Sequence, residues 1–260
     1  MSIQLAVFFI LVGVAVGSFL NVCIDRLPSR KSLVTPPSHC DSCQRRLGLL
    51  DNIPIFSYLF LRGHCRYCGA RIPVRVLLVE FITGLLFFLA FWRFGLTAQF
   101  GITAFWCCVF LVVIFIDWEH KLILNIITYP AIVIAVVILA VHTYGPGIVF
   151  LPPQATLING LVSGAFLFAF FLLIVIIRPD AMGMGDAKLV ALIGLISGFP
   201  LVVFSMMIGV TLGGIVAVIL LATRKKGRKD VIAYGTFLGI GPIIALIFAP
   251  EILNWYLSFF

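Results

Sequence analysis

Long apolar runs restrict this chain more than any other feature. Stretches of about 20 residues, the length that crosses a bilayer core as a helix, recur along it. They lie at 3–24, 75–94, 98–116, 122–141, 156–177, 187–199, 201–222 and 235–257. The sixth is short: a helix from Ala187 to Phe199 covers roughly 20 Å, against a core of about 30 Å. Either that helix begins before Asp186, or the turn "SGFP" at 197–200 lies below the far surface. Both options leave Asp186 near or inside the membrane boundary. Only 11% of the 260 residues are charged and 62% are hydrophobic. That is too little charge to coat a soluble domain of this length. The expected fold is an all-α polytopic membrane protein with about eight transmembrane helices. Residues 1–25 form a first helix, 26–74 a polar insert, and 75–260 a seven-helix membrane domain.

Basic residues set the expected orientation. Nine lie between Arg26 and Arg75 and five more in "RKKGRK" at 224–229. Threading eight spans with the insert in the cytoplasm also places Lys121, Arg178 and Lys188 there. Only Arg93 of the 18 basic residues then falls outside. Both termini are expected outside. The first helix has no basic residue before it and no small-residue cleavage site, so it reads as a retained anchor. The net charge of +8 is therefore topological, and anionic headgroups are the expected neighbours of the basic loops. Nucleic acid is not an expected partner, because no soluble module carries a basic face with interleaved aromatics.

The insert contains "HCDSC" (Cys40, Cys43) and "HCRYCG" (Cys65, Cys68). Paired C-x2-C motifs suit tetrahedral zinc, since one tight turn supplies two thiolates. Gly69 fits the turn after the second pair. An insert this small has little core of its own, so a metal staple is physically sensible. Two disulfides would need an oxidising compartment, against the expected cytoplasmic side. Four thiolates leave no open position for a catalytic water, so the zinc is read as structural. His39 and His64 read as loop residues, and Cys23, Cys107 and Cys108 as packing.

Two acids end apolar runs on the expected cytoplasmic side: Asp117 in "IFIDWEHKLILN" and Asp186 in "GMGDAKLV". Two spans separate them, one out and one back, so both carboxylates return to one face. Taken singly, Asp117 could mark a helix end and Asp186 could cap one. Taken together, with Gly183 and Gly185 leaving room for another backbone, they could form a dyad. Two carboxylates sharing one proton can activate a water and protonate a leaving amine, titrating as a unit. Lys188 could tune Asp186 or bind headgroups. Glu80 lies deep enough in its span to need a partner, with Arg75 or Arg71 in reach. Gly13/Gly17, Gly160/Gly164, Gly209/Gly213 and Gly235/Gly239 suit close helix crossings. A proton relay in a transporter, or a scaffold docking partners through the zinc insert, would also use some of these residues.

The chain resembles the type IV prepilin peptidases, the bifunctional leader peptidase/N-methyltransferases, along nearly its whole length. The resemblance rests on "GSFLNVCIDRLP" at 17–28, the paired C-x2-C motifs, "NIPIFSYLFLRGHCRYCG" at 52–69, "IDWEHKLILN" at 116–125, "GMGDAKL" at 183–189 and "YGTFLGIGP" at 234–242. It implies a GxGD aspartic protease of the bacterial inner membrane, with Asp117 and Asp186 as catalytic aspartates. The implied substrates are prepilins or pseudopilins, cut after a glycine that ends a short basic leader. It further implies N-methylation of the new terminus with S-adenosylmethionine, an activity associated with the insert and with Gly63. The chain departs from the family at Leu124 and Asp41, where proline is usual, and in "IAYGTFL", where a proline–phenylalanine pair usually precedes the glycine.

Overall fold

The computed structural model describes residues 3–48, 50–145, 155–178, 182–223 and 233–259. The basic run 224–229 and Asp230 lie outside the described residues. Among the described residues ten α-helices follow one another: α1 Ile3–Arg26, α2 Phe56–Phe60, α3 Val74–Phe94, α4 Ala98–His120 and α5 Asn125–Tyr144 lead. Then come α6 Leu157–Ile177, α7 Met184–Ser197, α8 Leu201–Ala222, α9 Tyr234–Ile247 and α10 Ala249–Leu257. All eight apolar runs are thus helical, and the protein is an all-α polytopic membrane protein. Six helices (α1, α3, α4, α5, α6 and α8) are long and apolar enough to cross a bilayer. The expected last span is instead the pair α9–α10, bent by 78°. Pro250 at the start of α10 explains the break, since its ring and missing N–H cannot continue a preceding helix.

The chain divides into two compact units, Met1–Val112 and Val113–Phe260, with the boundary inside α4. In the first unit α1 and α3 run antiparallel at close range. A β-carbon on Gly13 would lie 2.7 Å from Phe87 Cβ, and one on Gly17 would lie 2.7 Å from Glu80 Cα. Side chains larger than hydrogen would hold these backbones apart. Phe9 of α1 stacks on Phe91 of α3 and Phe100 of α4, with ring centroids 4.6 and 4.8 Å away. Glu80 is buried on α3, and its partner differs from the expected arginines. Its Oε2 accepts the Ile55 N–H at 2.7 Å, which caps the start of α2 from a distant helix. Arg75 instead reaches Asn21 Oδ1 at 3.4 Å and pairs with Asp25.

The second unit is organised around α7. Ala187, Leu189, Val190 and all residues from Leu192 to Ser197 are buried, against α5, α6, α8 and α9. At 14 residues it is about 21 Å long, short of the roughly 30 Å core. A helix buried on all sides needs an apolar surface all round, and its neighbours, not lipid, set its length. It starts two residues before Asp186. At its far end the turn at Gly198 is held by Asn159 of α6, which donates to the Phe199 carbonyl at 2.8 Å and accepts its N–H at 2.9 Å. Gly160 and Gly164 meet the α7 backbone, and Gly209 and Gly213 meet α9, as the spacing predicts.

Gly194 and Gly164 touch backbone to backbone: a β-carbon on Gly194 would lie 2.7 Å from Gly164 Cα. Neither helix can yield by rotating a side chain. Gly194→Ala is expected to destabilise the protein by about 1–3 kcal/mol, read as a lower melting midpoint in detergent. Gly214→Ala, where a β-carbon meets nothing within 4 Å, is expected to leave that midpoint unchanged.

Candidate active site and metal centre

Asp117 lies in the last turn of α4, where the helix is about to end. The Lys121 N–H closes that turn on the Asp117 carbonyl at 2.8 Å, with Lys121 at φ 54°. The Asp117 side chain is only 4% exposed, so its oxygens need donors. Thr236, in the first turn of α9, provides them. Its N–H donates to Asp117 Oδ2 at 2.6 Å, and its hydroxyl lies 3.0 Å from the same oxygen. The N–H groups of a helix's first turn have no partner within the helix and carry partial positive charge. The carboxylate of α4 thus caps α9.

Asp186 is set by its own helix. Its Oδ2 accepts the Gly183 N–H at 3.2 Å, while its backbone N–H donates to the Gly183 carbonyl at 3.1 Å. This is the capping-box arrangement, with the acid as third residue of α7 and glycine at the cap. Asp186 stands within coulombic reach of Asp117, and Tyr234 within coulombic reach of Asp186. The C-terminus of α4 and the N-termini of α7 and α9 therefore converge on one pair of carboxylates.

The glycines divide their roles. A β-carbon on Gly185 would lie 3.0 Å from Ile123 Cβ, so that space holds the α4–α5 link. A β-carbon on Gly183 would meet nothing closer than Asp186 Oδ2 at 3.6 Å, so the open side is at Gly183. Gly235, read from its spacing as a helix-crossing residue, lies against the site: its β-carbon would be 2.9 Å from Ile123 Cδ1 and 3.1 Å from Asp117 Oδ2. Lys188 donates to Asn125 Oδ1 at 2.9 Å and stands 5.0 Å above the Tyr129 ring. It ties α7 to the first turns of α5. Thr236, Tyr234 and Ile123 were not singled out from sequence. The one available signal was a polar threonine directly after a glycine at the head of an apolar helix.

In the first unit, the four sulfurs of Cys40, Cys43, Cys65 and Cys68 lie within 4.8 Å of one another, with Cys40 and Cys68 3.8 Å apart. Tetrahedral zinc with bonds of about 2.3 Å separates its sulfurs by about 3.8 Å. The two knuckles repeat each other. "HCDSCQRR" at 39–46 and "HCRYCGAR" at 64–71 each form a tight turn, Gln44 N–H to Cys40 carbonyl and Gly69 N–H to Cys65 carbonyl. Gln44 and Gly69 both take positive φ, 56° and 68°. Each histidine approaches a carbonyl two residues back, His39 to Pro37 and His64 to Arg62. Backbone N–H groups of Cys43 and Ser42 draw the Cys40 thiol down to about 7. The Ala70 N–H acts the same way on Cys68, but desolvation and the crowded thiols outweigh it and push that group up to about 11. Four thiolates cannot share this space without a cation, and a divalent ion is what the donor set fits. Gly63 takes φ 71°, and Tyr58 Oη would stand 2.8 Å from any β-carbon there.

Comparison with known proteins points to one family. The family model described as the bacterial peptidase A24 N-terminal domain matches residues 11–94, and that of the type IV leader peptidase family matches residues 104–218. Proteins named prepilin leader peptidase/N-methyltransferase are similar over nearly the full length. The one from Pseudomonas aeruginosa is 30% identical over 96% of this chain and 92% of its own length. The one from Legionella pneumophila is 31% identical, covering 96% and 93%. The one from Bacillus subtilis is 27% identical, covering 98% of both. No solved structure gives a significant match.

For the cysteine centre, the expected outcome is about one zinc per chain by elemental analysis, lost in Cys65→Ser. Zinc content unchanged in that variant would show that the four sulfurs are not the ligands.

Proposed function

This chain belongs to the type IV leader peptidase family, and from that premise we propose that it removes the leader of prepilins or pseudopilins through the Asp117–Asp186 pair. The observation that carries this reading is the convergence of α4, α7 and α9, which brings two carboxylates from distant helices within electrostatic reach. One carboxylate, ionised, takes a proton from water while the other, protonated, polarises the scissile carbonyl. Water adds to that carbonyl. The resulting tetrahedral species collapses as the amine leaves with a proton returned from the pair. Because the pair shares one proton, it turns over as a unit.

The substrate's leader is basic and its body is an apolar helix, so the bond to be cut sits where headgroups meet hydrocarbon. The position of both acids at helix ends supports cleavage at that level, with the insert and the carboxylates facing the cytoplasm of an inner membrane. Gly183 offers the open approach to Asp186. Lys188, held by Asn125 and Tyr129, keeps the first turn of α7 fixed beside α5.

The second activity is N-methylation of the newly exposed amine. S-adenosylmethionine supplies the methyl group when bound. Gly63 gives that donor no cradle, since Tyr58 fills the space beside it. Its part is the left-handed turn that joins α2 to the second knuckle. The zinc-stapled insert and its α1–α3 support form the segment associated with this activity.

Asp117→Asn and Asp186→Asn are each expected to abolish leader removal, by more than about a thousandfold, while the protein still inserts. Purified protein, a prepilin and labelled S-adenosylmethionine, read by product mass, give the measurement. Normal cleavage by either variant would sink the dyad. In the same assay Cys65→Ser is expected to reduce methylation at least as much as cleavage.

A further inference from the structure

We infer that Thr236 is a positioning residue that decides which aspartate carries the shared proton, leaving Asp117 ionised and Asp186 protonated at the start of the reaction. This rests on the dyad proposed above. Asp117 holds more donors than Asp186. Asp117 Oδ2 receives the Thr236 N–H at 2.6 Å and faces the Thr236 hydroxyl at 3.0 Å. Asp186 Oδ2 receives one N–H, from Gly183, at 3.2 Å. Hydrogen bonds donated to a carboxylate favour its charged form, and short ones favour it more. Each acid faces one helix N-terminus, α9 for Asp117 and α7 for Asp186, and the C-terminal end of α4 opposes charge on Asp117, so the short Thr236 N–H bond and the hydroxyl have that end to offset. The hydroxyl tips the balance.

The same hydroxyl has a second acceptor. Thr236 Oγ1 lies 3.3 Å from the Ile114 carbonyl. A hydroxyl donates one proton, so it can serve only one of these oxygens at a time. It turns to Asp117 while that group is charged. It turns to Ile114 once Asp117 has taken a proton from water. The Thr236 N–H has no such alternative and keeps Oδ2 an acceptor throughout. The proton taken from water therefore goes to Oδ1, which has no protein donor among the described residues. Water activation is thereby assigned to Asp117 Oδ1, and carbonyl polarisation to Asp186.

Among the described residues, other titratable groups around the pair are few. Tyr234 of α9 lies within coulombic reach of Asp186. Glu119, His120 and Lys121, just past Asp117, are exposed. Lys188 of α7 is engaged by Asn125.

The test is the pH dependence of kcat/KM for cleavage of a prepilin by the full-length protein in detergent or nanodiscs. Thr236→Val removes the hydroxyl and keeps the N–H. It is expected to move the acidic limb toward neutral pH by about one unit and to lower kcat roughly tenfold, with KM within about twofold. Thr236→Ser, which keeps the hydroxyl, is expected to restore both. Thr236→Ala serves if the valine variant does not fold. An unchanged profile and kcat in the variants lacking the hydroxyl would overturn the inference, as would an equal shift in the serine variant. Asp117→Asn and Asp186→Asn run alongside. Activity in those two removes the dyad itself, whereas inactivity there with a normal Thr236→Val removes only the role of Thr236.

Discussion

The bond from the α9 backbone to the Asp117 carboxylate is the interaction on which the functional end of the second unit depends. α9 begins with N–H groups that its own turns cannot satisfy, and α4 ends with a buried acid that pairs with no cation among the described residues. Each resolves the other's unfavourable burial. Gly235 makes this possible, because a side chain there would stand between Ile123 and the carboxylate. Helix ends that would otherwise need water are paired with each other, and the cost of placing a carboxylate beside apolar segments is offset there.

α7 plays the complementary part. It is fixed by packing over most of its length and by Asn159 at its far end. Asp186 is thus presented from a buried, well-anchored helix, while Asp117 is presented from a helix end gripped by α9. Catalytic groups on rigid elements hold their geometry better than groups on loops. The first unit follows a different logic. Its insert has almost no apolar core, so it relies on the cysteine cluster, on Asp51 pairing with Arg66 at 2.7 Å, and on Glu80 capping α2 from within the α1–α3 pair.

Much of this was legible in the sequence. Hydropathy located every helix of the described residues but α2, reading α9 and α10 as one run, because burial in lipid and burial in protein select the same side chains. That equivalence also limits it: hydropathy could not distinguish α7, enclosed by protein, from a helix facing lipid. The paired C-x2-C motifs were readable because their residue type and spacing are those of a cluster, and the four sulfurs do meet. Asp117 and Asp186 stood out because acids are costly beside apolar runs. Glu80 was recognised as needing a partner, but the partner is a backbone N–H, and every residue except proline has one. Thr236 was hidden for the same reason, since half of what it offers Asp117 is main chain.

The glycines show where residue type stops being informative. Gly194 and Gly235 look alike in sequence, each inside an apolar run with another glycine four or five positions away. One brings two backbones together; the other admits a carboxylate. Gly185 and Gly183, two residues apart, differ as sharply, one filled by Ile123 and the other open. A glycine declares only that something must come close. What comes close is decided by the partner, and at this site the partners are the last turn of α4, carrying Asp117, and the α4–α5 link, carrying Ile123. The geometry of the carboxylate pair therefore rests on Ile123, seated between Gly185 and Gly235, as much as on the two acids themselves.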